Sequence, residues 1–145
     1  FGTLDDKKIA ILGFSFKANT NDTRESPAIS ICKNLIKEGA ILSIHDELVN
    51  YETINNDLLS PDINNNLENH RNYFDYQSNV YKAIENSDAA IFLTSMDLYK
   101  NLDWQKISLA VKRPFWVFDT RSILDSKLIK SLNINIWQLG NGNNI

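Results

Sequence analysis

Short apolar runs alternate with amphipathic stretches along this chain, and that alternation predicts its elements. Lys8-Ile9-Ala10-Ile11-Leu12-Gly13-Phe14 is a nearly continuous apolar run behind a charged lead-in, the pattern of a strand buried on both faces. Residues 15–25 are polar, with Asn, Thr and Asp clustered, and predict a loop. Ser26-Pro27 then marks a helix start, since Ser accepts an otherwise orphaned N–H and Pro suits the first helical position. That helix should run to about residue 38. Ala28, Ile31, Cys32, Leu35 and Ile36 make one apolar stripe at helical spacing, and Gly39 is placed to stop it. A second strand over residues 41–45 ends at Asp46. Strand, helix and strand within some 40 residues form a βαβ unit, so the two strands should lie parallel with a right-handed crossover.

Residues 55–72 are rich in Asn and enclose Ser60-Pro61-Asp62, which predicts a variable excursion with little core, helical in part at its start. The alternation then resumes. A short helix is expected over 79–85, a buried strand over 89–93, and a helix over 104–111 with Trp104 and Ile107 inward and Val111 beside them. A buried strand follows at 116–119, then a helix at 125–132 and a final strand at 134–137. The fold class expected is therefore α/β, a single domain with a Rossmann-like, mostly parallel sheet and helices on both faces.

Composition narrows the partners. The 145 residues are enough for one domain with a real core, and 43% hydrophobic with 23% charged residues is ordinary for a globular protein. A net charge of -3 gives no basic footprint for nucleic acid or an acidic membrane surface. No apolar run approaches the roughly 18 residues of a membrane-spanning helix, and no signal-peptide pattern opens the chain. Phe1 in place of an initiator Met points to a piece of a longer polypeptide. Cys32 is the single cysteine, which fits a reducing, cytoplasmic setting. With that one cysteine and only His45 and His70, no usual zinc-ligand spacing can be assembled, so no metal site is expected.

Candidate chemistry sits where polar loops leave strand ends, the edge at which open parallel sheets bind ligands. One loop, residues 13–26, carries Lys17 and Arg24. The other, Phe118-Asp119-Thr120-Arg121-Ser122, carries Arg121. Three cations and a helix N-terminus on one edge suit a phosphorylated ligand, with Arg able to fork onto phosphate oxygens and Lys acting as a mobile point charge. Each has a structural reading too: Lys17 and Arg24 could be merely solvated loop charges, Arg24 could pair with Asp22 or Glu25, and Asp119 or Asp125 could hold Arg121. Only Gly13 follows the first strand, without the G-x-G-x-x-G that lets a backbone approach a pyrophosphate, so this is not the main dinucleotide-binding half of an enzyme. Cys32 lies in the apolar stripe and reads as an inert structural thiol. His45 reads as a hydrogen-bonded strand end and Trp104, Trp116 and Trp137 as packing residues.

Asp6-Lys7-Lys8-Ile9-Ala10-Ile11-Leu12-Gly13-Phe14-Ser15-Phe16-Lys17, with Asn21-Asp22-Thr23-Arg24-Glu25-Ser26-Pro27, resembles the opening of the C-terminal domain of nucleotide-sugar dehydrogenases, the UDP-glucose/GDP-mannose dehydrogenase family. Glu38-Gly39-Ala40 and Ile44-His45-Asp46 resemble its second strand, residues 93–104 the segment after a later strand, and Phe118-Asp119-Thr120-Arg121 its last sugar-nucleotide loop. The matches run in order over nearly the whole chain, and the UDP-glucose branch is the most similar. Two positions depart: His45-Asp46-Glu47 stands where the family commonly has Tyr-Asp-Pro, and Thr120 where it commonly has a Gly, with less backbone freedom.

The resemblance implies a domain that binds a UDP-sugar in an enzyme oxidising UDP-glucose to UDP-glucuronate, with a GDP-mannose or UDP-N-acetylmannosamine substrate, or a stand-alone nucleotide-binding module, as alternatives. The family makes the carboxylate in two NAD-dependent hydride transfers through an enzyme-bound thioester. Its glycine fingerprint and nucleophilic cysteine belong to an upstream half that, with the central helix, is absent from residues 1–145. The implied substrate contacts are Phe16, Lys17 and Arg121. Arg24 is implied to reach NAD across the cleft, and no residue here is implied to be catalytic. The expected partners are UDP-glucose, the NAD-binding N-terminal half and further copies of the full polypeptide; the 145 residues alone are expected to be inactive.

Overall fold

Six parallel strands form one sheet in the computed structural model of this protein, which describes residues 3–58 and 73–140. Strand β1 (Lys8–Leu12) is followed by helix α1 (Pro27–Lys37), β2 (Ile41–His45), α2 (Tyr51–Leu58) and β3 (Phe74–Tyr76). The second half runs α3 (Val80–Ile84), β4 (Ala89–Phe92), α4 (Asp97–Lys100), α5 (Trp104–Ala110), β5 (Trp116–Asp119), α6 (Ser126–Ser131) and β6 (Asn135–Gln138). Spatially the strands order as β3-β2-β1-β4-β5-β6. This is the doubly wound Rossmann arrangement, whose direction of winding reverses between β1 and β4.

The helix expected from Ser26 forms as the spacing dictates. Ser26 caps it, its Oγ accepting from Ala28 N at 3.2 Å, and Gly39 ends it with φ at +93°. Of the predicted stripe, Ala28, Cys32 and Ile36 are buried and Ile31 and Leu35 are partly so. Burial pushes the Cys32 thiol well above its ordinary range, which leaves it unreactive. Two apolar clusters sandwich the sheet. α1 and α2 cover β1 and β2 with Ile9, Ile11, Leu42 and Ile44, while α3, α5 and α6 pack on Leu12, Phe92, Val117 and Ile136 from the other side. Each fully buried aliphatic or aromatic side chain here contributes roughly 1.5–3 kcal/mol.

Three differences from the sequence expectation have local causes. β1 stops at Leu12 rather than at Phe14, because Gly13 turns the chain with φ at +100°. α2 begins at Tyr51, ahead of the Asn-rich excursion, most of which (residues 59–72) lies outside the described residues. β3 and α4 were not expected at all. β3 has only three residues and α4 only four, too short for either period to register in the sequence.

Gly13 is fixed by crowding as well as by its backbone. A Cβ there would lie 2.6 Å from Thr94 Cγ2, so the turn leaving β1 can pass Thr94, two residues beyond β4, only without a side chain. Gly140 shares the left-handed backbone, φ +77°, but no atom of the described residues lies within 4 Å of its would-be Cβ. Gly13→Ala should therefore lower the unfolding free energy measured by urea titration by about 1–3 kcal/mol more than Gly140→Ala does, the cost of added overpacking. Equal losses in the two variants would contradict the crowding account.

Candidate functional site

The loop after β1 and the loop after β5 both open at the C-terminal edge of the sheet, with β4 alone between their strands. Adjacent strands lie about 4.8 Å apart, so the two strand ends are separated by roughly 10 Å. That edge, at the reversal of winding, is where α/β sheets bind ligands.

The base of the β1 loop is held from two sides. Asp46, at the end of β2 and fully buried, accepts hydrogen bonds through Oδ2 from Phe14 N (2.8 Å) and Ser15 N (3.1 Å). Its Oδ1 accepts from Leu48 N at 2.8 Å. From the opposite side Ser26 Oγ donates to Phe14 O at 2.8 Å and reaches Ser15 O at 3.2 Å. Beyond this base the chain closes a small lobe, with Phe16 N donating to Asp22 O at 2.6 Å and Ser15 Oγ to Lys17 O at 2.8 Å. Phe14 is fully buried, whereas Phe16 is 43% exposed and Lys17 is exposed.

Arg24 lies in the same lobe but is engaged. Its Nε and Nη2 fork onto Asp22 Oδ1 (3.1 Å) and Oδ2 (2.9 Å), and its backbone N also donates to Oδ1 at 2.9 Å. This is the ion pair that the sequence allowed, and it lies in solvent, with 89% of the Arg24 side chain exposed. Such a pair adds little to stability; its effect is to hold the guanidinium plane in one orientation. Phe16, Asp22, Arg24 and Glu25 line a shallow cavity of about 300 Å³.

The β5 loop repeats the device. Asp119, fully buried at the end of its strand, accepts through Oδ1 from Arg121 N (3.1 Å) and through Oδ2 from Leu124 N (2.9 Å) and Gln138 Nε2 (2.8 Å). Thr120 Oγ1 donates to Phe92 O at 2.6 Å, and Arg121 Nε donates to Leu93 O at 3.0 Å. Arg121, an exposed residue, is thus held over the end of β4. The Thr in place of the family's common Gly fits, because the left-handed residue of this loop is Ser122 (φ +55°) and Thr120 is not in that region.

His45 is buried, its Nδ1 2.8 Å from Tyr99 Oη, and burial lowers its pKa. Tyr99, fully buried, is pushed up by the same desolvation. Thr94 Oγ1 is a buried hydroxyl with no hydrogen-bond partner among the described residues, packed against Gly13 at the β1–β4 crossing. Among the described residues no cluster of His, Cys, Asp or Glu could hold a metal ion, and no helix is long and apolar enough to cross a membrane.

The arrangement brings Phe16 and Arg24 to one cavity; Arg121 is held at the end of β4, and Lys17 lies in the same lobe as Phe16 without lining that cavity. Sequence reasoning passed over Asp46 as an organiser and named Asp119 only as a structural partner for Arg121, which it is through the Arg121 backbone N–H. Their signal was present: each is the acidic residue closing an apolar strand, where an unpaired carboxylate would be costly unless backbone N–H groups meet it.

The chain matches the model of the UDP-glucose/GDP-mannose dehydrogenase family, UDP binding domain, over residues 10–126. It is 37% identical over 140 residues to the UDP-glucose 6-dehydrogenase of Drosophila melanogaster, a match covering 97% of this chain and 29% of that relative. It is also 37% identical to the UDP-glucose 6-dehydrogenase of Caenorhabditis elegans, covering 97% and 28%. The chain therefore spans under a third of the length of these curated relatives. Among solved structures it resembles NDP-N-acetyl-D-galactosaminuronic acid dehydrogenase from Methanosarcina mazei Go1, with a TM-score of 0.75, 20% identity, and 98% of this chain and 26% of that one covered. UDP-D-ManNAc dehydrogenase from Pyrococcus horikoshii gives a TM-score of 0.70 at 19% identity over 99% of this chain and 27% of that one. At these identities the two structures speak for the fold alone.

The forked contact with Arg24 depresses the Asp22 carboxyl to about 2, from a model-compound 3.8. The lowered value means that the pair is intact above the unfolded carboxyl's range and is lost as pH falls through about 2. NMR titration of the Asp22 side chain should find that value, and Arg24→Ala should return it toward 3.8. A carboxyl titrating near 3.8 in the unaltered protein would mean that the fork does not persist in solution.

Proposed function

The chain belongs to the UDP-glucose/GDP-mannose dehydrogenase family, as its UDP-binding domain, and on that premise we propose that it is the UDP-sugar-holding part of an NAD-dependent UDP-glucose 6-dehydrogenase. The observation that carries the reading is identity of 37% over 97% of the chain with an enzyme of that name, aligned with a cationic ligand edge at the reversal of winding. In this reading Phe16 packs on the nucleotide sugar, Lys17 meets a sugar or phosphate oxygen, and the terminal N–H groups of Arg121 meet the UDP end. Arg24 faces NAD: two of its five N–H donors are spent on Asp22, which leaves the rest for a ligand across the cleft.

NAD itself does not fit this chain as a main site. There is no glycine fingerprint, and the Phe14 and Ser15 N–H groups, where a pyrophosphate would be cradled, are already taken by Asp46. NAD is therefore assigned to a partner half of the same polypeptide, consistent with the relatives being more than three times as long as the match. The work of this domain is positioning and charge complementarity, holding the sugar against groups supplied by that half. The single, buried cysteine fits a cytoplasmic enzyme and leaves the thiol chemistry to the partner half. The full polypeptide is read as a homo-oligomer.

Lys17→Ala and Arg121→Ala in the full-length polypeptide should each raise KM for UDP-glucose about tenfold or more, the loss expected for one charge-assisted hydrogen bond. Steady-state kinetics over a panel of UDP-glucose, GDP-mannose and UDP-N-acetylmannosamine checks residues and substrate together. Unchanged kinetics in both variants removes the site assignment, and turnover of another sugar in preference to UDP-glucose removes the substrate.

A further inference from the structure

We propose that Asp46 is a positioning residue for nucleotide-sugar binding: its buried carboxylate fixes the Phe14–Ser15 backbone from which Phe16 and Lys17 project. The proposal rests on the assignment of Phe16 and Lys17 to the sugar nucleotide. A dinucleotide-binding Rossmann domain carries an acidic residue at the end of the second strand, where it meets the ribose hydroxyls. Asp46 holds that place in this fold but has no exposed surface, so it cannot meet a ligand there. Its oxygens are filled instead by Phe14 N, Ser15 N and Leu48 N. The carboxylate stands in for the phosphate that such N–H groups would otherwise bind.

This inversion has a chemical consequence. With the main-chain donors closed, a phosphorylated ligand must be gripped by side chains further along the loop, and their aim depends on the base that carries them. Both peptide units at that base are pinned, N–H groups by Asp46 and carbonyls by Ser26 Oγ. The buried Phe14 side chain anchors the same point, and exposure begins at the next residue but one, Phe16. A base ordered before binding spares the ligand the entropy of ordering it.

Asp46→Asn is the informative change. Asn keeps the shape but offers one acceptor oxygen to three N–H donors and turns an amide N–H₂ against one of them. In the full-length polypeptide, Asp46→Asn should raise KM for UDP-glucose about tenfold while kcat and KM for NAD stay within about twofold. A merely structural role would reduce the fraction of active enzyme, lowering kcat with KM unchanged, and that result overturns the proposal. If Asp46→Asn does not fold, Ser26→Ala, which frees the carbonyl side of the same two residues, takes its place: a raised KM for UDP-glucose supports the clamp, an unchanged one overturns it. Lys17→Ala and Arg121→Ala in parallel separate the two levels. A raised KM in Lys17→Ala without one in the clamp variant sinks the positioning role alone, whereas unchanged kinetics in both Lys17→Ala and Arg121→Ala sink the site assignment and this inference with it.

Discussion

Backbone N–H groups that come free where a parallel strand ends have to find acceptors, and in this domain buried aspartates supply them. Asp46 closes β2 and gathers three such donors; Asp119 closes β5 and gathers two, with the Gln138 amide as a third partner. A carboxylate with no exposure is tolerable only when its lone pairs are met, and each missing bond would cost on the order of 1–3 kcal/mol. Because Phe14, Ser15, Arg121 and Leu124, four of these donors, lie in the loops that follow β1 and β5, satisfying the carboxylate and shaping the loop are one event. The loop bases that carry Lys17 and Arg121 are thereby held by buried carboxylates.

The same constraint separates this domain from the dinucleotide-binding version of its own fold. Strand order, the reversal between β1 and β4 and the acidic end of the second strand are all retained. What differs is the segment between β1 and α1: fourteen residues long, 13–26, and folded back on Asp46 and Ser26, it replaces a short glycine turn. Glycine survives only at position 13, where a Cβ would strike Thr94. The exchange gives up close backbone approach to a pyrophosphate and gains a rigid base for cationic and aromatic side chains, a trade suited to a different nucleotide.

Most of this was legible in the sequence wherever an element was long enough to show its period. The α1 stripe, its Ser26 cap and its Gly39 stop, and the apolar runs of β1, β2, β4 and β5, follow from spacing alone. β3 and α4 escaped because three and four residues hold no period, although Tyr99 of α4 is a fully buried core residue that pairs with His45. The cations could be placed on one edge because their loops leave the carboxyl ends of strands that βαβ units make parallel. Their states could not: that Arg24 is forked onto Asp22 while Arg121 leans on the Leu93 carbonyl depends on loop geometry with no repeating signal. Asp46 and Asp119 were visible as strand-ending acids, but their burial is a tertiary fact.

Hydrogen–deuterium exchange of the full-length polypeptide, with and without saturating UDP, tests most directly whether the nucleotide sits on this edge. Protection should appear in peptides spanning 14–26 and 119–124, with the strands' N-terminal edge unchanged. Protection elsewhere in the polypeptide with none in those two segments would contradict the account.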